Sequence, residues 1–200
     1  FEKVGEEMTS RGSDMLLAPG MNIHRNPLCG RNFEYYSEDP FVTGKIAAAT
    51  VRGIQKHNLS ACPKHFACNN QEFNRNHTDS VVSERALREI YLKGFEICVR
   101  ESDPKLIMTA YNIVNDVRAS ENTELITGIL RGEWGYRGLV TTDWWNTAEK
   151  HKEVTAGNDI RMPSTTWEGE SYRSTVSVQN TKDELRISVK RLLEMILWLE

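Results

Sequence analysis

Gly138-Leu139-Val140-Thr141-Thr142-Asp143-Trp144-Trp145 decides how this chain folds. A short, apolar, β-branched run ends in a carboxylate followed by two indoles. Val and Thr suit a pleated strand, and a brief apolar run between helix signals reads as a buried parallel strand. In a barrel, the last residue of such a strand opens onto the face where barrel enzymes place their chemistry. A carboxylate beside flat aromatic faces suits a sugar, offering charge to the anomeric carbon and apolar rings to the pyranose. The same residues also read as an Asp capping the next helix, with two tryptophans in the core. The rest of the chain decides between these.

Outward from that stretch, helix and strand signals alternate. Asp39-Pro40 sets a capping carboxylate before a Pro at the first helical position, and a helix is expected to run to about Lys56. Ser83 can cap a helix whose apolar face is Leu87, Ile90, Tyr91 and Cys98. Leu125, Ile126, Ile129 and Leu130 form another face, closed by Gly135. Thr181-Lys182-Asp183-Glu184 is a capping box, followed by Leu185, Val189, Leu192, Leu193 and Ile196. Between the helices lie apolar runs at Met15–Ala18, Ser60–His65, Leu106–Ala110, Leu139–Thr142 and Asp159–Met162. Strands separated by helices indicate βαβ units and a parallel sheet. The runs are fewer than the eight strands of a closed barrel. The expected fold is therefore α/β, a partial or reduced (β/α)8 TIM-type barrel occupying residues 1–200 as one domain. Residues 164–180 read as a polar loop. Phe1–Met8 lacks an initiator Met and reads as the interior of a helix, so the true start is expected upstream.

Composition narrows the function classes. An apolar fraction of 39% with 26% charged residues is ordinary for a globular protein. A net charge of −3, without a run of Lys and Arg, argues against a nucleic-acid surface. No apolar stretch reaches the ~18–20 residues that cross a bilayer, so no membrane partner is expected. Cys29, Cys62, Cys68 and Cys98 form no CxxC pair and read as buried free thiols. The histidines show neither HxxxH nor HExxH spacing, so no metal is expected. The sequence leaves the compartment open.

Polar residues cluster just after the strands. Asn22-Ile23-His24-Arg25-Asn26 and Arg31-Asn32-Phe33-Glu34 follow the first, and Lys64-His65, Asn69-Asn70-Gln71-Glu72 and Arg75 follow the second. Tyr111-Asn112 end the third and Asp143-Trp144-Trp145 the fourth. Planar donors together with Lys, His and Tyr are what several sugar hydroxyls require. Each residue also has a plainer reading. Arg31 could pair with Glu34 or Glu38, Lys64 could be solvated, and Glu34 and Glu72 could sit on surface loops. What weighs against those readings is that successive strands release polar residues at one end.

Several long motifs, in order, resemble glycoside hydrolase family 3. They are Leu17-Ala18-Pro19-Gly20-Met21-Asn22-Ile23-His24-Arg25-Asn26-Pro27, Gly30-Arg31-Asn32-Phe33-Glu34-Tyr35-Tyr36-Ser37-Glu38-Asp39-Pro40 and Lys64-His65-Phe66-Ala67. Leu87-Arg88-Glu89-Ile90-Tyr91-Leu92, Met108-Thr109-Ala110-Tyr111-Asn112, Trp134-Gly135-Tyr136-Arg137-Gly138, Thr142-Asp143-Trp144 and Ala156-Gly157-Asn158-Asp159 continue the likeness. The resemblance implies a retaining exo-acting β-glycosidase of the β-glucosidase type, with Asp143 as nucleophile. It places glycone hydroxyls on Arg31, Lys64, His65 and Arg75, sets Tyr111 near the nucleophile, and puts Trp144 on the aglycone side. The implied partner is a β-glucoside or oligosaccharide, with no cofactor. Two family elements are not matched here. An acidic residue that grips the far hydroxyls lies upstream of Phe1 in the family, and the general acid usually comes from a following α/β sandwich domain. The chain is thus expected to be the family's N-terminal barrel domain, truncated at its start and lacking the C-terminal domain. The competing expectations are a catalytically incomplete fragment that only binds sugar or is structural, and another barrel enzyme, such as an aldolase with Lys64 as a Schiff base.

Two geometric expectations follow. Successive strand residues face opposite sides of a sheet, yet Lys64 and His65 must reach one sugar, so regular strand geometry should break across Lys64–Ala67, with a cis non-proline bond as one way to do it. Asp143 should also lie near a cation, with Arg31, Lys64 and Arg75 the candidates.

Overall fold

The structure is a computed structural model that describes residues 1–163 and 181–200. The loop expected at 164–180 lies outside the described residues. In chain order the strands are β1 (Met15–Leu16), β2 (Ser60–Ala61), β3 (Asp79–Ser80), β4 (Leu106–Met108), β5 (Ile113–Val114), β6 (Val117–Arg118) and β7 (Leu139–Thr141). The α-helices are α1 (Glu2–Ser10), α2 (Pro40–Gln55), α3 (Glu84–Ala86), α4 (Lys93–Ser102), α5 (Lys150–Ala156) and α6 (Lys182–Leu199), with wider π-type turns at Leu87–Tyr91 and Glu124–Glu133.

β1 pairs parallel with β2 in the register Met15↔Ser60, and β4 with β7 in the register Leu106↔Leu139. Parallel bridges Gly20↔Lys64, Phe66↔Thr109 and Thr141↔Ile160 join these pieces into one row that runs in chain order. Each step along the row is crossed by a helix. Parallel neighbours that follow the sequence are the arrangement of a curling barrel wall. The regular ladders are short for a local reason. Pro19 and Pro63 have no N–H to give, so pairing passes to carbonyls such as that of Pro63, which accepts from the Met108 N–H at 3.1 Å. β4 and β7 are buried along their whole length, as a sheet covered on both faces requires.

The helix signals act as expected in most places. Asp39 Oδ1 accepts from the Phe41 and Val42 N–H groups, opening α2, and Ser83 Oγ accepts from the Ala86 N–H. Leu125, Ile126, Ile129 and Leu130 are buried, and Gly135 closes that segment at φ +74°. α2 crosses α4 at two glycines, where a Cβ on Gly44 would lie 2.9 Å from the Gly94 carbonyl. All four cysteines are buried free thiols. No helix among the described residues is long and apolar enough to cross a membrane.

Two expectations about helix faces are corrected. Ile90 is 41% exposed, although Leu87 and Cys98 are buried. The Leu92 N–H bonds to the Leu87 carbonyl, five residues back, and that wider turn rotates Ile90 out of phase. In α6, Thr181 makes no side-chain cap, and Val189 and Leu193 are exposed while Ser188 and Met195 are buried. A polar clamp orients this helix. Ser188 Oγ and Arg191 Nη1 each donate to Asp159 Oδ1 at 2.9 Å, and a buried carboxylate left without such donors would be strongly disfavoured.

A small second sheet, absent from the sequence expectation, holds β3 parallel to β5 and β5 antiparallel to β6. Asn115 and Asp116 turn the β5–β6 hairpin with φ of 48° and 69°, the left-handed pair a two-residue hairpin needs. This sheet ties the segment after β2 to the one after β4.

Candidate active site

Four strand ends converge. After β2 the backbone leaves regular strand geometry, with cis peptide bonds at Lys64–His65 and Phe66–Ala67, so the expected irregularity is present. Its neighbours hold this turn from several sides. The Asn22 side chain pairs with both backbone groups of His65, accepting from its N–H at 2.8 Å and donating to its carbonyl at 2.9 Å. Asn112 Nδ2 donates to the Ala67 carbonyl at 3.1 Å. Phe66 points into the core, edge-on to Phe95 and Trp134 at ring-centre distances of 5.3 and 5.9 Å. A buried aromatic thus anchors the residue that follows the two polar ones, a contribution of about 1.5–3 kcal/mol from burial alone.

Asp143 stands just past β7. Its Oδ1 accepts from the Trp144 N–H at 2.7 Å, and its Oδ2 lies 3.7 Å from His65 Nε2. His65 is 1% exposed. Burial first, then the charges of Arg31, Lys64 and Arg75, hold its pKa well below the ordinary 6.5, so the ring is neutral at neutral pH. Tyr111 comes from the end of β4 and donates its hydroxyl to the Trp144 carbonyl at 2.6 Å. Burial and the adjacent Asp143 charge push its pKa to about 12.

The cations are arranged differently from the expectation. None of Arg31, Lys64 and Arg75 forms an ion pair with Asp143. Arg31 is bound to Glu34, Lys64 Nζ lies 3.9 Å from the same carboxylate, and Arg75 Nη1 donates to Glu72 Oε2 at 2.8 Å. The plain reading of Arg31 as a partner of Glu34 and its placement near the site therefore hold together. Arg75 also stacks its guanidinium 4.5 Å from the Tyr111 ring centre, which carries its charge to the Asp143 side. The positive groups act on the site as a field around His65 rather than as direct partners of the carboxylate.

The two indoles part company. Trp144 is half-buried against the cluster that contains Cys62, Leu106, Met108 and Leu139, whereas Trp145 is 74% exposed at φ +51°. A buried pair steadies the loop that carries them. Arg161 binds Glu153 Oε2 at 2.7 Å and donates to the Asn146 and Ala148 carbonyls at 3.0 and 3.1 Å.

Asn22, Tyr35, Asn69, Asn112, Glu153 and Arg161 support the site without having been singled out for it. Asn22 and Asn112 carried a signal, being polar at the ends of apolar strands. Glu153 and Arg161 carried none, since their pairing is made only by the fold. No group of three or more possible metal ligands occurs among the described residues.

Residues 2–195 match the family model described as the glycosyl hydrolase family 3 N terminal domain. Beta-glucosidase A of Butyrivibrio fibrisolvens is 61% identical over 158 residues, covering 79% of this chain and 19% of that protein. Beta-glucosidase 3B of Thermotoga neapolitana, solved in complex with glucose, superposes with a TM-score of 0.94 at 45% identity, covering 98% of this chain and 29% of that one. Beta-glucosidase of Kluyveromyces marxianus, also with glucose, gives a TM-score of 0.94 at 37% identity, covering 99% and 24%. The chain thus spans 19–29% of the length of these relatives. With a parallel βα row in chain order and likeness along nearly its whole length, this chain belongs to the glycosyl hydrolase family 3 N-terminal domain family, as a partial (β/α)8 barrel.

Proposed function

We propose that this chain is the nucleophile-bearing, glycone-binding part of a retaining β-glucosidase that removes terminal β-D-glucosyl residues by double displacement. The observation that carries it is the state of Asp143. It lies at the end of a barrel strand, largely buried, beside a neutral histidine too distant for a direct hydrogen bond. A carboxylate held by few donors, next to the histidine that the charges of Arg31, Lys64 and Arg75 surround, suits attack on an anomeric carbon. In the first step an Asp143 oxygen forms a bond to that carbon as the bond to the leaving oxygen breaks, giving a glycosyl ester. Water then cleaves the ester. Arg31, Lys64, His65 and Arg75 bind glycone hydroxyls, Tyr111 flanks the nucleophile, and Trp144 borders the aglycone.

A retaining enzyme needs a second carboxyl ~5–5.5 Å from the first. The two carboxylates of the neighbouring loops, Glu34 and Glu72, are each already tied to an arginine. This favours a general acid from a further domain, and a chain that alone is catalytically incomplete. Incubation with a mechanism-based fluoro-glucoside, followed by peptide mass mapping, tests the assignment. Label on Asp143 is expected, and label elsewhere or none refutes it. Residual turnover should favour a dinitrophenyl glucoside over an alkyl one, because a good leaving group needs no acid. Brisk turnover of the alkyl glucoside would instead assign the acid role to Glu34 or Glu72.

A further inference from the structure

A neutral imidazole carries one proton on two nitrogens, and its position decides whether His65 offers its surroundings a donor or a lone pair. The ring is wired at both ends. Nδ1 lies 3.2 Å from the Tyr35 hydroxyl, and Nε2 faces Asp143 Oδ2 at 3.7 Å. The Tyr35 hydroxyl accepts from Asn69 Nδ2 at 3.2 Å, and the same amide nitrogen lies 3.5 Å from Glu72 Oε1. Tyr35, His65 and Asn69 are all buried.

These contacts have a direction. Glu72, paired with Arg75, can only accept, so the Asn69 amide must turn its NH2 toward it, and that NH2 also reaches Tyr35. Tyr35 then has its own proton free to donate, and Nδ1 is the acceptor in front of it. With Nδ1 accepting, the proton of the neutral ring sits on Nε2. The reverse arrangement would set the Nε2 lone pair against the Asp143 carboxylate and turn the Nδ1 proton toward a hydroxyl already engaged by Asn69.

We propose that Glu72, Asn69 and Tyr35 form a one-way hydrogen-bond chain that fixes His65 with its proton on Nε2, facing Asp143. Tyr35 is a positioning residue, acting through His65. The 3.7 Å gap between Nε2 and Oδ2 is too long for a direct bond. A sugar hydroxyl placed between them accepts from Nε2–H and donates to Asp143. That last step rests on the proposed function, whereas the tautomer does not.

The test is long-range proton–nitrogen NMR on the chain with its histidine rings labelled with nitrogen-15, without substrate. At neutral pH the His65 signals should show a bare, hydrogen-bonded Nδ1 and a protonated Nε2, and should keep that pattern as pH is lowered through the ordinary histidine range. Tyr35→Phe should move the Nδ1 resonance downfield as it loses its donor, the direction opposite to protonation. A proton on Nδ1 in the unmutated chain overturns the proposal, and so does an unmoved Nδ1 resonance in a folded Tyr35→Phe chain. If that variant does not fold, the unmutated ring still decides. A chain that fails to react with the fluoro-glucoside counts against the sugar-cleaving reading alone, because the tautomer is read without sugar.

Discussion

Asp143 and Asp159 flank one strand edge of the same barrel wall, both largely out of solvent, and they are treated in opposite ways. Asp159 receives four donors from two helical segments and a strand: Arg131 Nη2 at 2.7 Å and the Val140 N–H at 2.9 Å on one oxygen, Ser188 and Arg191 on the other. Its lone pairs are used up. Asp143 accepts from the Trp144 N–H and, among the described residues, has beside it only the Tyr111 hydroxyl, which it shares with the Trp144 carbonyl, while His65 stays out of direct reach. A saturated carboxylate is a rivet, and an open one is available for chemistry. The difference is visible in hydrogen-bond partners, not in burial or residue type.

The largest expected effect comes from breaking the open member. Asp143→Asn should cut fluoro-glucoside labelling by at least about 10⁴-fold, as loss of a nucleophile does. Its urea midpoint should move little, since the amide Oδ1 can still accept from the Trp144 N–H. If labelling persists, the contrast between the two aspartates carries no functional meaning.

Asp159→Ala should do the reverse. It leaves Arg131 buried beside an empty acceptor, and stability in urea should fall by about 3–5 kcal/mol. A loss under 1 kcal/mol, roughly the value of an exposed pair, would show that the Ser188 and Arg191 contacts do not hold the last helix.

The histidine facing Asp143 supplies a pH test. Its folded pKa lies well below the ordinary 6.5, so as pH falls past that value the unfolded chain takes up a proton that the folded chain refuses. Stability from this residue is therefore complete above about pH 6.5 and declines below it, by up to ~1.4 kcal/mol per pH unit. Chemical unfolding at successive pH values should show that slope, and His65→Gln should flatten it. An unchanged slope would mean the ring is not excluded from charging.

The smallest effect should come from an ion pair outside both clusters. Arg85 and Glu89 meet at 3.1 Å with side chains 84% and 61% exposed. Arg85→Ala should alter stability by no more than about 0.5 kcal/mol. A larger change would blur the distinction that burial draws between this pair and Asp159.

Much of this molecule could be read along the chain. Local rules were enough wherever one residue acts on its near neighbours. Asp39 and Ser83 cap the helices they precede, Gly135 ends the segment before it, and the apolar runs become parallel strands. The strand-end polar residues were legible as candidates because charge at the end of a buried strand needs a reason. The β5–β6 hairpin was also within reach, since Asn115-Asp116 sits between the β-branched residues Ile113-Val114 and Val117. Other features had no local trace. Ile90 and the outward face of α6 follow helical periodicity, yet a widened turn and the Asp159 clamp override it.

The sequence by itself determined the alternation of helix and strand, the family likeness, and the residues that gather where strands end. Those depend on side-chain type and on contacts a few residues apart. Only the tertiary structure decided which cation binds which carboxylate, which indole is covered, which nitrogen of His65 meets Tyr35, and why Asp143 is open while Asp159 is closed. Those outcomes depend on groups dozens of residues apart arriving within about 3 Å, the reach of a hydrogen bond. Composition and spacing do not encode that distance; packing of the barrel wall does.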